Sequence, residues 1–113
     1  MLPEKDRVRL LEMRDHAKEA LEFVAGRNRS DLDSTRWLNL SIVRLLEIIG
    51  EAAARVSEST QALYPDIQWR QIVGLRNRLI HGYNQVDFDI LWEICVNDLP
   101  LLVESLDRAI AER

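Results

Sequence analysis

Apolar residues recur every three or four positions along most of this chain, and that spacing is the strongest constraint on its fold. In the segment from about 34 to 58 they form one stripe, widened on one side by Val43, Leu46 and Ala53. Its members are Leu38, Ile42, Leu45, Ile49, Ala52 and Val56. A period near 3.6 places such residues on one face of an α-helix. A stripe this broad must contact more than one neighbouring element.

The flanking segments show the same period. A first helix is predicted from about 5 to 25, and Gly26 offers a left-handed position at its end. Asp33 or Ser34 is predicted to cap the second helix. The sequence SESTQ reads as a polar link beyond it, and the small residue Gly50 would allow close helix approach.

A third helix is predicted to begin with Asp66 at or beside the N-cap, to run through Trp69 to Ile80, and to end at Gly82. Asp87 is then placed to cap a fourth helix. Pro100 should kink or divide that helix, because proline removes a backbone donor.

These helices predict an all-α fold, an antiparallel bundle of four to five helices that forms one domain over residues 1–113. Composition agrees, since 47% of residues are hydrophobic, 30% are charged and the chain has only 4 Gly. The breadth of apolar surface on the second helix favours a homodimer.

The chain has no uncharged apolar run near the roughly 18 residues of a membrane span, and its start, MLPEKDR, lacks an apolar signal segment. We therefore expect a cytoplasmic protein without a membrane partner. Cys95, between Ile94 and Val96, is predicted to be a buried free thiol. The net charge of −4 does not favour nonspecific binding to nucleic acid, so any RNA contact must be local.

The stretch RNRLIHGY, residues 76–83, concentrates polar side chains at the end of the predicted third helix. In a continuous helix Asn77 and His81 share a face, so Asn77 could orient the imidazole. Each residue also has a structural explanation. Arginine and histidine are favoured in a last helical turn by the helix dipole, and Tyr83 could close the core.

Taken together, these residues resemble a known family. Arg76 to His81 fits the R-x4-H signature of HEPN domains, with a polar residue after the arginine, and Tyr83 completes the R-x4-H-x-Y form of HepT toxins. The resemblance also covers IGEAA at 49–53, PDIQW at 65–69, GLRN at 74–77 and the LW to LP segment at 91–100. The chain is thus similar to the HepT-like family, formerly DUF86, over nearly its whole length.

The resemblance implies a helical dimer around the third helix, with two Arg76 and His81 pairs in one cleft. It implies a metal-independent endoribonuclease without cofactor, the toxin of a type VII-like toxin–antitoxin pair. Its partner would be a minimal nucleotidyltransferase, an antitoxin that adds AMP groups to Tyr83. Cleavage through the RNA 2′-hydroxyl needs a base and an acid, which two copies of His81 could supply, while Arg76 would bind the phosphate.

A noncatalytic reading remains open, in which a helical dimer only binds a nucleotidyltransferase or a nucleotide. Arg76 would then be buried against a carboxylate, Glu51 for example, and Glu51 could equally support Arg76 in a nuclease. His16 lies on a charged helix face without a second ligand at metal spacing. The tryptophans, Trp37 included, are most simply core or interface anchors.

Overall fold

The computed structural model describes residues 2–81 and 85–112, and of His81 it describes the backbone alone. The fold is all-α, as predicted, with one two-stranded hairpin in the described part. Its α-helices are α1 (Glu4–Val24), α2 (Asp31–Ser34), α3 (Arg36–Ala54), α4 (Glu58–Leu63), α5 (Trp69–Val73), α6 (Leu75–Leu79), α7 (Phe88–Glu93) and α8 (Leu99–Ala111). The strands are β1 (Ile80–His81) and β2 (Gln85–Val86).

The long helix α1 runs antiparallel to both α3 and α8. Asp6, in its first turn, hydrogen-bonds Ser57 just beyond the end of α3. Arg7 donates to the carbonyl oxygen of Ile110 in the last turn of α8, at 3.1 Å. The apolar stripes predicted for these helices meet in one hydrophobic cluster that includes Leu10, Ile42 and Leu106, each 0% exposed. The bundle prediction is therefore confirmed at the level of its three long elements.

Helix α1 begins and ends close to its predicted bounds, because local signals mark both ends. Gly26 has φ +74°, the left-handed conformation expected of it. The predicted second helix corresponds to α3, which ends at Ala54, four residues before the predicted end near 58. Thr35 rather than Asp33 or Ser34 precedes α3, and it makes no side-chain cap; the two predicted caps lie inside α2.

The SESTQ segment is not a plain link. Ser57 caps α4 by accepting a hydrogen bond from the Thr60 amide. The carboxylate of Asp6 completes this turn, accepting from the Ser57 amide at 3.0 Å and from the hydroxyls of Ser57 and Thr60 at 2.6 Å each. Asp6 is only 4% exposed. A buried carboxylate thus fixes the start of α1 against the start of α4.

The last helical segment behaves largely as predicted. The side chain of Asp87 caps α7 by accepting from the amides of Asp89 and Ile90. A π-helical turn, Ile94–Asp98, joins α7 to α8 directly before Pro100. The predicted fourth helix is therefore interrupted shortly before Pro100, where the hydrogen-bond pattern changes between α7 and α8. Cys95, in this turn, is a buried free thiol as predicted, and burial raises its pKa to about 12.

No helix in residues 2–81 and 85–112 combines the length and the apolar character that a membrane span requires.

Candidate functional site

The predicted third helix is in fact two short helices and a strand. Gln68 rather than Asp66 precedes α5, and Asp66 instead accepts a hydrogen bond from Arg108 at 3.1 Å. Gly74 separates α5 from α6. The chain then leaves the helix at Ile80, earlier than the predicted end at Gly82, which lies outside the described residues.

A tight hairpin follows α6 and carries the backbone of His81. In β1 and β2, Ile80 pairs with Val86 and His81 pairs with Gln85, both antiparallel. The amide of Asp87 donates to the carbonyl oxygen of Leu79 at 2.8 Å and closes the base of the hairpin. Arg76 therefore lies on a helix and His81 on a strand.

The helical premise of the Asn77 prediction is wrong, while the proposed contact itself stays a prediction because the His81 side chain lies outside the described residues. A contact one helical turn apart requires a helix through both residues, but α6 ends at Leu79 and His81 is extended. Asn77 is exposed. Tyr83 lies outside the described residues, so the proposed modification site stays a prediction.

Arg76 projects from α6 toward α3. Its side chain is 67% exposed, and its Nε lies 3.8 Å from Oε2 of Glu47, whose side chain is 26% exposed. Glu47 in turn lies 3.8 Å from Nη1 of Arg44. These long contacts leave most of the Arg76 guanidinium open to solvent.

Glu51 differs from its prediction as the partner of Arg76. It is 62% exposed, and its contact is Arg44, at 3.6 Å. The carboxylate that meets Arg76 is Glu47, one turn earlier on α3. Both acids share the outward face of α3, so their spacing showed that one of them could reach a cation from a neighbouring helix, but not which one.

A shallow pocket of about 260 Å³ joins these residues, with walls that include Glu47, Glu51, Val73 and Arg76. Gly50 forms part of it and brings two elements close together. A Cβ atom there would lie 3.0 Å from the carbonyl oxygen of Ile72 in α5. The predicted role of this small residue in close packing is confirmed, and the approach of α5 to α3 sets where Arg76 emerges.

The pocket offers an exposed cation beside a partly buried acid, an arrangement suited to an anionic ligand. A planar guanidinium can give two hydrogen bonds to a phosphate. Across the described residues, no three His, Cys, Asp or Glu side chains come together as possible metal ligands.

Comparison with known proteins gives the family. The model of the family described as "Ribonuclease HepT-like" matches residues 13–109. The chain therefore belongs to the HepT-like family. The resemblance found in its motifs is confirmed, since the matched range contains every segment that carries them.

Individual relatives agree with this membership. A Thermococcus cleftensis protein named "Probable ribonuclease HepT" is 34% identical over 94 residues, which are 80% of this chain and 86% of the relative. A Methanocaldococcus jannaschii protein named "Putative RNase MJ1380" is 30% identical over 98 residues, 87% of this chain and 90% of the relative. No solved structure matches the chain.

Proposed function

We propose that this protein is a metal-independent endoribonuclease, the toxin of a toxin–antitoxin pair, in which Arg76 and His81 carry out the cleavage. Membership of the HepT-like family and the names of its relatives support an RNase. The observation that carries the proposal is the state of Arg76, 67% exposed and bound only loosely to Glu47. A cation held this way remains available to an RNA phosphate.

The proposed reaction is attack of a ribose 2′-hydroxyl on the adjacent phosphorus. A neutral His81 takes the hydroxyl proton, and a protonated His81 gives a proton to the departing 5′-oxygen. The products are a 2′,3′-cyclic phosphate and a free 5′-hydroxyl. Arg76 stabilises the charge that grows on the phosphate oxygens, and its planar donors reach two of them together.

Since one histidine is poorly suited to be base and acid at once, the active species is proposed to be a homodimer around α5 and α6. Val73 supports this surface, because it is apolar, 45% exposed and part of the Arg76 pocket. In the proposed dimer a second copy covers Val73, and the two His81 residues share one cleft. The active form should then sediment as a dimer.

The decisive experiment compares RNA cleavage by the parent and by His81→Ala. We expect the substitution to lower the rate by at least about a hundredfold, the scale of a lost acid–base group. Parent activity should persist in EDTA. Cleavage by His81→Ala at the parent rate would refute the assignment, and loss of parent activity in EDTA would refute the metal-independent mechanism.

We further propose that a minimal nucleotidyltransferase neutralises the protein by adding AMP to the Tyr83 hydroxyl. Added phosphate would bring negative charge and bulk close to His81 in sequence, and would compete with RNA for Arg76. After co-expression, mass spectrometry should show gains of AMP units that vanish in Tyr83→Phe. Retention of those gains in Tyr83→Phe would exclude this site.

A noncatalytic dimer that only binds a nucleotidyltransferase or a nucleotide is the alternative. Burial of Arg76 in a satisfied ion pair would favour this alternative. The exposure of Arg76 and the 3.8 Å separation from Glu47 favour the nuclease.

A further inference from the structure

Trp37, on the outward face of α3, is an unusual residue to find exposed. It is 54% exposed, whereas an anchor of the core would be buried, so that part of its prediction is wrong. Its ring packs edge-on against Phe23, with centroids 6.1 Å apart, and Arg27 lies over it at 5.2 Å. The indole is thus held in place while more than half of the residue remains accessible.

The charge beside this ring is positive. Arg27 and Arg36 make no ion pair with an acid in the part of the chain that the structure describes. Arg36 is oriented by Asn39, which accepts its hydrogen bond at 3.1 Å and is itself 3% exposed. Asn39 is fixed in turn by donating to the carbonyl oxygen of Leu32 at 2.8 Å.

A shallow pocket of about 430 Å³ extends from this patch to the hairpin of the candidate site. Its walls include Arg36, Leu40, Gln85 and Val86. Gln85 is the strand partner of His81. Leu40, 52% exposed, adds an apolar surface beside Trp37. The pocket therefore joins the patch to the strand that pairs with the backbone of His81.

Helix geometry also connects the patch to Arg76. Trp37, Arg44 and Glu47 are separated by seven and three residues, which places them on one side of α3. Glu47 contacts Arg76, and it lies about 15 Å along the helix axis from Trp37. A strand that lies along this side would meet both positions.

An exposed aromatic ring with arginines nearby combines two features with which proteins bind single-stranded nucleic acid, because bases stack on the ring and phosphates pair with the cations. We propose that Trp37, Arg27, Arg36 and Leu40 form a subsite that binds an unpaired base of the RNA strand, apart from the cleaved bond. This inference rests on the proposed ribonuclease function and deepens it. It assigns single-stranded RNA longer than a dinucleotide as the preferred substrate.

Binding is tested with fluorescently labelled RNA whose riboses carry 2′-O-methyl groups, since these cannot attack the phosphorus. Fluorescence anisotropy should give a Kd for Trp37→Ala about tenfold or more above that of the parent, the scale of one lost stacking contact. Trp37→Phe keeps a ring and should bind within about threefold of the parent on the same grounds. A parent Kd for Trp37→Ala would overturn the subsite.

The arginines have a matched control at the other end of α3. Arg27→Gln and Arg36→Gln should each weaken binding and flatten the dependence of log K on log salt by about 0.7. Arg55→Gln, exposed and remote from Trp37, should change neither. The control for substitution of Leu40, the apolar residue of the subsite, is Leu101→Ala on α8, because Leu101 is also exposed, at 65%. An equal effect of the controls would overturn the assignment.

Two further measurements separate this inference from its alternatives. A dinucleotide bound at Arg76 is too short to reach Trp37, which lies about 15 Å along the helix axis from Glu47, the contact of Arg76. Trp37→Ala should therefore cleave it as the parent does while it cleaves longer RNA more slowly. Absence of cleavage of longer RNA by the parent would count against the proposed function. Cleavage of longer RNA by the parent, with unchanged binding of that RNA by Trp37→Ala, would overturn the subsite alone.

The competing occupant is a second copy of the chain. Light scattering should give the same mass for the parent and for Trp37→Ala. A dimer that dissociates on this substitution would assign the patch to an interface between copies and overturn the RNA subsite.

Discussion

Two carboxylates in this molecule, Asp6 and Glu47, lie in opposite environments. At the start of α1, the Asp6 carboxylate is 4% exposed and accepts three hydrogen bonds of 2.6 to 3.0 Å. At the Arg76 pocket, Glu47 is 26% exposed and its two cationic contacts are each 3.8 Å long. One acid is satisfied inside the fold, and the other holds a cation loosely at the surface.

A buried, hydrogen-bonded carboxylate and an exposed ion pair contribute differently to stability. A buried carboxylate loses its hydration, so it is tolerated only when hydrogen bonds replace the water, and breaking them is costly. An exposed ion pair is screened and contributes little to stability. Because Glu47 binds Arg76 weakly, a phosphate can replace or join it at small cost.

The largest expected effect is on cleavage. Arg76→Ala should lower the rate of RNA cleavage by at least about a hundredfold, because a donor to the developing phosphate charge is lost. Its free energy of unfolding should stay within about 0.5 kcal/mol of the parent. Arg78→Ala is the control on the same helix, since Arg78 instead contacts Asp98 at 2.9 Å. Similar rate losses in both variants would remove the distinction between the two arginines.

The next largest effect is on stability. Asp6→Ala should lower the free energy of unfolding by about 2 to 3 kcal/mol, because the polar groups at the start of α4 lose their acceptor. Urea unfolding measures it, with Glu4→Ala, exposed on the same helix turn, as the control. Cleavage per folded molecule should not change. If Asp6→Ala were as stable as Glu4→Ala, the proposed difference between Asp6 and Glu47 in their contribution to stability would be wrong.

The contribution of Asp6 should also depend on pH. Burial raises the pKa of this carboxyl, but hydrogen bonds from Ser57 and Thr60 outweigh burial and hold the pKa below its ordinary value. Folding therefore favours the ionised form. The stabilisation is fully present above the unfolded pKa of about 3.9 and is lost as pH falls through the folded pKa.

Urea unfolding of the parent and of Asp6→Asn between neutral and acid pH checks this. The difference in unfolding free energy should be constant near neutrality and shrink at pH values below about 4. A difference that grows on acidification would mean that the folded protein prefers the protonated carboxyl.

The smallest effect is expected at Glu51. Glu51→Ala removes an exposed contact to Arg44, so the free energy of unfolding should change by less than about 0.5 kcal/mol. Its effect on the KM for RNA should be smaller than that of Glu47→Ala, because only Glu47 contacts Arg76 in the described structure. The reverse order would show that Glu51, as expected from the sequence, makes the functional contact with Arg76. The arrangement would then differ from this structure, in which Glu47 contacts Arg76.

Local signals allowed much of the fold to be predicted. The apolar period fixed the long helices α1 and α3 because it follows from backbone geometry alone. The caps that worked, Gly26 and Asp87, act within a few residues. The motif residues Arg76 and His81 could likewise be recognised from their spacing, without knowledge of their surroundings.

Where helices end and which charges meet depended on contacts distant in sequence. The third helix was predicted to continue through Ile80, but pairing with Val86 draws that residue into a hairpin, and so separates His81 from the helix that carries Asn77. The apolar period of the third helix could not predict this pairing, because it carries no information about the strand that pairs with Ile80.

The sequence by itself determined the all-α class, the long helices and the family motif, since each is written in short-range spacing. Only the tertiary structure decided that Arg76 meets Glu47 rather than Glu51, and that Trp37 is exposed. The physical reason is that the close approach of α5 to α3 at Gly50 sets which turn of α3 lies beneath Arg76. A shift of one turn would exchange the two acids without any change in the helical pattern.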